Sequence, residues 1–267
     1  MKNNFSKAKR ILIKIGTAVI TKNSRLNKEL MRQKSREISA LIHSGKEIIM
    51  ISSGAVGAGM EISNVIERPK DIIQLQLLSG KGQPRLMRLY ELKFKKFGVQ
   101  IAQILLTHHN FQTQNEVNNL SDVIKGYFKT RTLPIVNTND IITKEELMNG
   151  SSVKFTDNDE LATLVAKAME VDLLLILTNV DGLYMNYASK AEKPELLNNV
   201  NKITKEILED SRFGISPLGL GGMYSKVKAA QYLLRYNIPT IIANGKNSIP
   251  DILSNKVKRT LINTGQK

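Results

Sequence analysis

Short apolar runs recur along the chain at strand length, and the stretches between them repeat their apolar residues with a helical period. Arg10 to Ile15 (RILIKI) predicts a buried strand, stopped by Gly16-Thr17; Leu30 to His43 predicts an amphipathic helix, stopped by Gly45. Glu47 to Ile51 is a second strand. Pro69 to Lys96 is mostly helical, with a break expected near Ser79 to Pro84 and Pro84 opening a second helix. Val99 to Leu106 and Leu133 to Val136 are further strands, separated by a polar-faced helix over Asn115 to Phe128. Ile141 to Phe155 is polar and irregular and suits a hairpin or flap. The apolar helix Leu161 to Met169 then precedes Leu173 to Leu177, the most continuous apolar strand in the chain. A loop-rich passage, Asn186 to Arg212, leads through a glycine-rich stretch to a helix over Val227 to Tyr236. Pro239 to Ala243, Ser248 to Ser254 and Thr260 to Ile262 read as strand, short helix and strand.

Strands alternating with helices throughout predict a three-layer αβα sandwich around a mostly parallel central sheet. No repeat, low-complexity segment or linker interrupts the pattern, so residues 1–267 read as one domain.

Composition narrows the chemistry. Cysteine is absent, which removes disulfides, thiolate metal sites and cysteine nucleophiles. His43, His108 and His109 lack metal-ligand spacing and read as structural or surface residues, with no metal site among them. No apolar run approaches the roughly 20 residues of a membrane helix, and no signal peptide is visible, so a cytoplasmic protein without a membrane partner is expected. The formal net charge of +15 suits an anionic ligand or nucleic acid. The basic residues are dispersed, however, and no aromatic residues interleave with them, which argues against a nucleic-acid role.

Candidate chemistry gathers at strand ends. In a parallel sheet all strand C-termini lie on one edge, where α/β folds bind ligands. Lys14-Ile15-Gly16-Thr17, Ser52-Ser53-Gly54-Ala55, Asn137 to Asp140 and Thr178-Asn179 all fall there. Lys14 alone would also suit a lysine snorkelling from its strand, and the polar turns suit ordinary turn formation. Asp140 is the candidate for holding a cationic group. Thr156-Asp157-Asn158-Asp159-Glu160 stands at a helix start, where acids also cap and complement the dipole. Gly214, Gly219, Gly221 and Gly222 precede a helix whose first turn carries Lys226. Bare N–H groups, a positive helix end and an ammonium form an anion site in outline, with phosphate the natural ligand. It is not a Walker A loop, because Ser225 and not glycine precedes Lys226.

Six blocks in this order resemble the amino acid kinase family: KIGT at Lys14, SSGAVGAG at Ser52, VNTND at Val136, TDND at Thr156, LTNVDGLY at Leu177 and GLGGMYSK at Gly219. The match runs from about Ile11 to Ile252. Ser53-Gly54-Ala55, where acetylglutamate and uridylate kinases carry a GGG-type turn, and Gly16-Thr17, where carbamate kinases carry GGN, favour the branch that phosphorylates the γ-carboxylate of L-glutamate in proline biosynthesis. That resemblance implies ATP as phosphoryl donor and Mg²⁺ bound through the nucleotide phosphates. It implies Lys14, Asp159 and Lys226 as catalytic residues, with Asp159 organising the two lysines, and Ser53, Asp140 and Asn158 as the glutamate site. It assigns nucleotide binding to Lys14, Thr178, Asn179 and Leu220, Gly221, Gly222, Met223, Tyr224, Ser225 and Lys226. A homo-oligomer and a downstream glutamyl-phosphate reductase are implied partners, and the C-terminal PUA domain of many members is expected to be missing. Thr138, Asn179, Leu220 and Ser225 depart from the usual pattern: Leu220 removes a hydroxyl, Thr138 and Asn179 each remove a possible negative charge near the ligands, and Ser225 stands in place of a threonine. Another kinase of the superfamily, such as a uridylate kinase, and a non-catalytic ligand sensor remain the alternatives.

Overall fold

The computed structural model describes residues 4–22, 25–142, 158–185, 194–212 and 222–265. The expected hairpin or flap falls almost entirely outside them, as does the glycine stretch as far as Gly221. In chain order the first elements are β1 (Arg10–Ile15), α1 (Thr17–Ile20), the short pair β2 (Thr21–Lys22) and β3 (Arg25–Leu26), α2 (Lys28–His43), β4 (Glu47–Ser52), α3 (Ala55–Ile62) and α4 (Ile72–Lys95). There follow β5 (Ile101–Leu106), α5 (Gln114–Lys129), β6 (Leu133–Thr138), α6 (Asn158–Ala168) and β7 (Leu173–Thr178). The last are β8 (Tyr184–Met185), β9 (Glu195–Leu196), β10 (Asn199–Val200), α7 (Lys205–Asp210), α8 (Met223–Leu234), β11 (Thr240–Asn244), α9 (Ile249–Leu253) and β12 (Arg259–Ile262).

Eight strands form the main sheet in the order β10-β12-β11-β7-β1-β4-β6-β5. The six from β11 to β5 run parallel, and β12 pairs antiparallel with β11 while keeping β10 parallel to itself. The predicted mostly parallel sheet is therefore present, with its reversal confined to one edge. Burial explains the strand sequences. Ile11, Ile13 and Ile15 of β1 join the core under α2, α4 and α9, whereas Leu12 joins the core under α5, α6 and α8. With both faces covered, every residue of β7 is buried, and the strand reads as continuous Leu and Ile without polar alternation up to its terminal Thr178. Each such side chain contributes about 1.5–3 kcal/mol on burial.

The same alternation sends Lys14 to the face that carries Leu12, where α6 and α8 begin. β1 leaves the sheet edge toward the α2 face, and its neighbour β7 leads by way of α8 on the opposite face. The C-terminal ends of β1 and β7 thus flank a switch point, the place where a crevice opens in such sheets.

Two expectations need correcting. The helix from residue 72 does not break at Ser79 to Pro84: α4 is continuous, with Pro84 inside it and Asp71 capping its start by accepting from the Gln74 N–H. Packing overrides local propensity here. A Cβ on Gly59 would lie 1.9 Å from the Leu78 carbonyl oxygen, and one on Gly82 would lie 1.8 Å from that of Ala55. The glycines let α3 and α4 cross at backbone contact and do not break the helix. The second correction concerns residues 186–212, where the loop-rich reading missed β9, β10 and α7, each too short to show a period.

Candidate active site

The site is built where β1, β4, β6 and β7 end. Lys14, the penultimate residue of β1, lies in register with Ile51 of β4 and Ile176 of β7, so its ammonium emerges between two strand ends. Opposite it, Asp159 stands in the first turn of α6, and Lys226 stands in the first turn of α8. All three are at least 95% buried. Lys14 Nζ is 2.6 Å from Asp159 Oδ1, and Lys226 Nζ is 3.1 Å from Asp159 Oδ2. Ser225 Oγ adds a hydrogen bond to Oδ2 at 2.6 Å.

Burial alone would raise the Asp159 carboxyl. The charges of Lys14 and then Lys226, with hydrogen bonds from Lys14 and Ser225, outweigh it and hold that carboxyl well below the usual carboxylate range. The result is a fixed anion that places two ammonium groups side by side in a water-poor crevice. Like charges would not otherwise share that space.

A second cluster lies beside the first. Gly54 has φ +111°, a left-handed conformation that glycine adopts without strain, and it turns the chain from β4 into α3. That turn sets Ser53 where its hydroxyl accepts from Asn158 Nδ2 at 3.0 Å, and Asn158 is the residue before Asp159. From the end of β6, Asp140 Oδ2 accepts from the Ser79 hydroxyl of α4. Gln76 Nε2 donates to the carbonyls of Asp140 and Ile141, both at 3.0 Å. Asn137 Nδ2 donates to Gln83 Oε1 at 2.9 Å. Two buried acceptors, Asp140 Oδ1 and Asn158 Oδ1, have no hydrogen-bond partner among the described residues. Unpaired buried oxygens carry a desolvation cost of about 1–3 kcal/mol that a donor on a ligand would relieve.

A third group flanks β7. Thr178 is 8% exposed, and its carbonyl accepts from the Gly245 N–H at 2.8 Å. Asn244 Nδ2 donates to Asp181 Oδ1 at 3.1 Å and to the Asn179 carbonyl at 3.4 Å. Gly222 is the N-cap of α8 and has no side chain to satisfy the free N–H groups of the first turn. Tyr224 holds Arg212, with the guanidinium 4.2 Å from its ring centroid and Nη2 3.0 Å from its hydroxyl.

Of the residues singled out from sequence, the structure gathers Lys14, Asp159, Lys226 and Ser225 in one contact cluster and Ser53 with Asn158 in another. It sets Asp140 against α4, and Thr178 and Asn179 against the end of β11. Met223 and Tyr224 open α8 beside Gly222, and Leu220 and Gly221 lie outside the described residues. Sequence reasoning missed Gln76, Ser79 and Gln83, because they sit inside a helix that was read as broken. It also missed Asn244 and Gly245, although a strand running into Asn244-Gly245-Lys246-Asn247 is the same polar strand-end signal used elsewhere. Among the described residues, no group of three or more His, Asp or Glu side chains is placed to hold a metal ion, and no helix is long and apolar enough to cross a membrane.

Comparison with known proteins gives this arrangement its relatives. Residues 9–244 match the model of the amino acid kinase family. The chain is 37% identical over 238 residues to a glutamate 5-kinase of Thermoanaerobacter sp. (strain X514), covering 89% of this chain and 62% of that protein. It is 36% identical over 248 residues to the glutamate 5-kinase of Streptococcus uberis, covering 92% of this chain and 91% of that one. It is 35% identical over 268 residues to the glutamate 5-kinase of Enterococcus faecalis, covering 99% and 98% of the two chains. The chain therefore spans 62% of the length of the first relative and nearly all of the other two. Among solved structures, a carbamate kinase from Giardia lamblia bound to AMP-PNP superposes with a TM-score of 0.65 at 18% identity, over 96% of this chain and 98% of that one, which establishes the shared fold. With the family model spanning most of its length and relatives above 30% identity matched nearly end to end, this chain belongs to the amino acid kinase family.

Proposed function

We propose that the protein transfers the γ-phosphoryl group of ATP to the γ-carboxylate of L-glutamate, forming L-glutamyl 5-phosphate in the first step of proline biosynthesis. The observation that carries this reading is the pair of buried lysines from β1 and α8 fixed by one buried carboxylate at the sheet's switch point. The glutamate 5-kinase relatives at 34–37% identity supply the substrate.

The chemistry suits these residues. A γ-carboxylate has a pKa of about 4 and is already a nucleophile at neutral pH, so no general base is needed. Its oxygen attacks the γ-phosphorus, the bond from that phosphorus to the bridging oxygen breaks, and ADP leaves with the electron pair; no proton moves. The barrier is repulsion between two anions and the charge gathering on the transferred group. Lys14 and Lys226 lie where they neutralise both, and Asp159 keeps them oriented.

The second cluster suits the amino acid. An α-ammonium brings three donors, and Asp140 Oδ1 and Asn158 Oδ1 are buried acceptors awaiting them. Ser53 is tied to Asn158, whose neighbour Asp159 holds Lys14. The bare N–H groups at the α8 N-terminus, with Thr178, Asn179 and Met223 to Lys226, receive the nucleotide. Mg²⁺ supplies further charge neutralisation there and is assigned to the nucleotide phosphates, since Asp159 is already engaged by two lysines and a serine. We assign the catalytic unit to one domain and the protein to the cytoplasm, as a homo-oligomer whose acyl-phosphate product a reductase consumes.

The test is ATP- and Mg²⁺-dependent hydroxamate formation from L-glutamate in hydroxylamine, with L-aspartate and UMP as rival acceptors. Glutamate-specific hydroxamate is expected. ADP release only in the presence of UMP would sink the substrate assignment, and no turnover with any acceptor would move the protein to the sensor class.

A further inference from the structure

The proposed reaction leaves most of the chain's +15 charge unused. At the opposite edge of the sheet from the candidate active site, where β1 and β4 begin, a cleft of about 460 Å³ opens between the C-terminal ends of α2 and α5. Lys9, Arg10, Lys46, Lys125, Lys129 and Arg131 line it, with Glu47 the single carboxylate among the described residues of its wall.

Structural duties account for only part of this charge. Arg10 Nε is 2.7 Å from Glu47 Oε2, and Arg10 Nη1 donates to the Met169 carbonyl at 2.6 Å. Lys46 Nζ donates to the carbonyls of Ser6 and Ala8, both at 2.6 Å. Outside the lining, Asp172 accepts from the backbone N–H groups of Lys9 and Arg10 at 2.7 and 2.8 Å. The two helix ends add about half a negative charge each. Lys9 Nζ lies 3.8 Å from Glu47 Oε1. The side chains of Lys125, Lys129 and Arg131 remain, exposed and without a hydrogen bond or ion pair to any described residue. Arg131 holds φ +54°, a left-handed conformation rare outside glycine, in the turn that carries the chain from α5 toward β6. Phe128 gives the cleft an aromatic wall, with the Arg10 guanidinium 5.7 Å from its ring centroid.

We propose that this cleft is a second ligand site, for a small anion bearing several phosphate groups, of the nucleotide or polyphosphate class. Its volume is that of a small-molecule pocket, within the ~300–1,000 Å³ usual for such sites. Three unpaired cations on concave walls concentrate positive potential on a compact ligand.

Calorimetric titration of the full chain with inorganic tripolyphosphate, at low salt and again at high salt, tests the site. The wild type is expected to bind two equivalents, one of them at the kinase site. Lys226→Ala should keep the second site, whereas Lys129→Glu with Arg131→Glu should weaken it at least tenfold while leaving glutamate turnover unchanged. That turnover also reports that the doubly reversed variant is folded, and it separates failure of this site from failure of the kinase reading. Binding by the double variant at wild-type strength, or loss of all binding in Lys226→Ala alone, would overturn the proposal. So would a single-stranded RNA 20-mer that binds the wild type more tightly than tripolyphosphate and loses that binding in the double variant, because the cleft would then serve a polynucleotide.

Discussion

Lys14 and Lys226, 212 positions apart in the chain, meet on the same carboxylate, at 2.6 Å from Oδ1 and 3.1 Å from Oδ2 of Asp159. Replacing Asp159 with Asn keeps the shape and removes the buried negative charge that both ammonium groups share. The expected loss is about 3–5 kcal/mol of stability, together with a fall in kcat of about 10²–10³ from misplaced lysines. Lys226→Ala leaves Asp159 paired with Lys14, so turnover should fall by a similar factor at a smaller cost in stability. Urea unfolding and steady-state glutamate turnover on both variants check this. Full activity in Asp159→Asn would remove Asp159 from the mechanism.

The same carboxylate makes stability depend on pH. Its folded-state pKa is depressed below the unfolded value of about 4. The contribution is therefore complete above about pH 4 to 5 and is lost as acidification proceeds through that value toward the folded pKa. Unfolding free energies of the wild type should drop between pH 6 and pH 3 more steeply than those of Asp159→Asn, which has no proton to take up at this position. Parallel curves for the two proteins would show that the site does not hold its carboxylate ionised.

What could be read from the chain beforehand follows from where each signal is stored. β1 and β7 were legible because both faces of the sheet are covered, so burial alone writes their apolar runs. Lys14, Asp159 and Lys226 were legible as residues through their neighbours in six ordered blocks, but their meeting on one carboxylate is a product of topology, which no local window contains. The break expected at Ser79 to Pro84 failed for a related reason. Gly82 and Pro84 carry local signals for a turn, and the deciding fact, the approach of α3 at Gly59, lies more than 20 residues away in sequence. That misreading hid Gln76, Ser79 and Gln83, whose contacts to Asp140 and Asn137 exist only because the helix is continuous.

Ser79 offers a direct measure of that hidden layer. Its hydroxyl fixes Asp140 Oδ2 and thereby aims Oδ1 at the proposed ammonium position. Ser79→Ala should raise the KM for glutamate about tenfold, equivalent to roughly 1–1.5 kcal/mol for one lost hydrogen bond, with kcat and the KM for ATP little changed. An unchanged KM for glutamate would mean that Asp140 needs no help from α4 or does not meet the substrate.

Two glycine substitutions separate packing from propensity. Gly126 lies within α5, and a Cβ there would meet nothing within 4 Å, so Gly126→Ala should gain about 0.5–1 kcal/mol from helix propensity alone. Gly82 lies in the middle of α4, yet a Cβ there would fall 1.8 Å from the Ala55 carbonyl oxygen and 2.4 Å from the Gly59 nitrogen. Backbone atoms cannot rotate aside as a side chain can, so α3 and α4 would be forced apart at a cost of at least ~1–3 kcal/mol, more than any propensity gain. Because α3 follows directly from Ser53-Gly54, the same displacement should raise the KM for glutamate. Thermal unfolding of both variants decides the matter: opposite shifts are expected, and a stabilised Gly82→Ala would mean that α3 and α4 do not cross at backbone contact in solution.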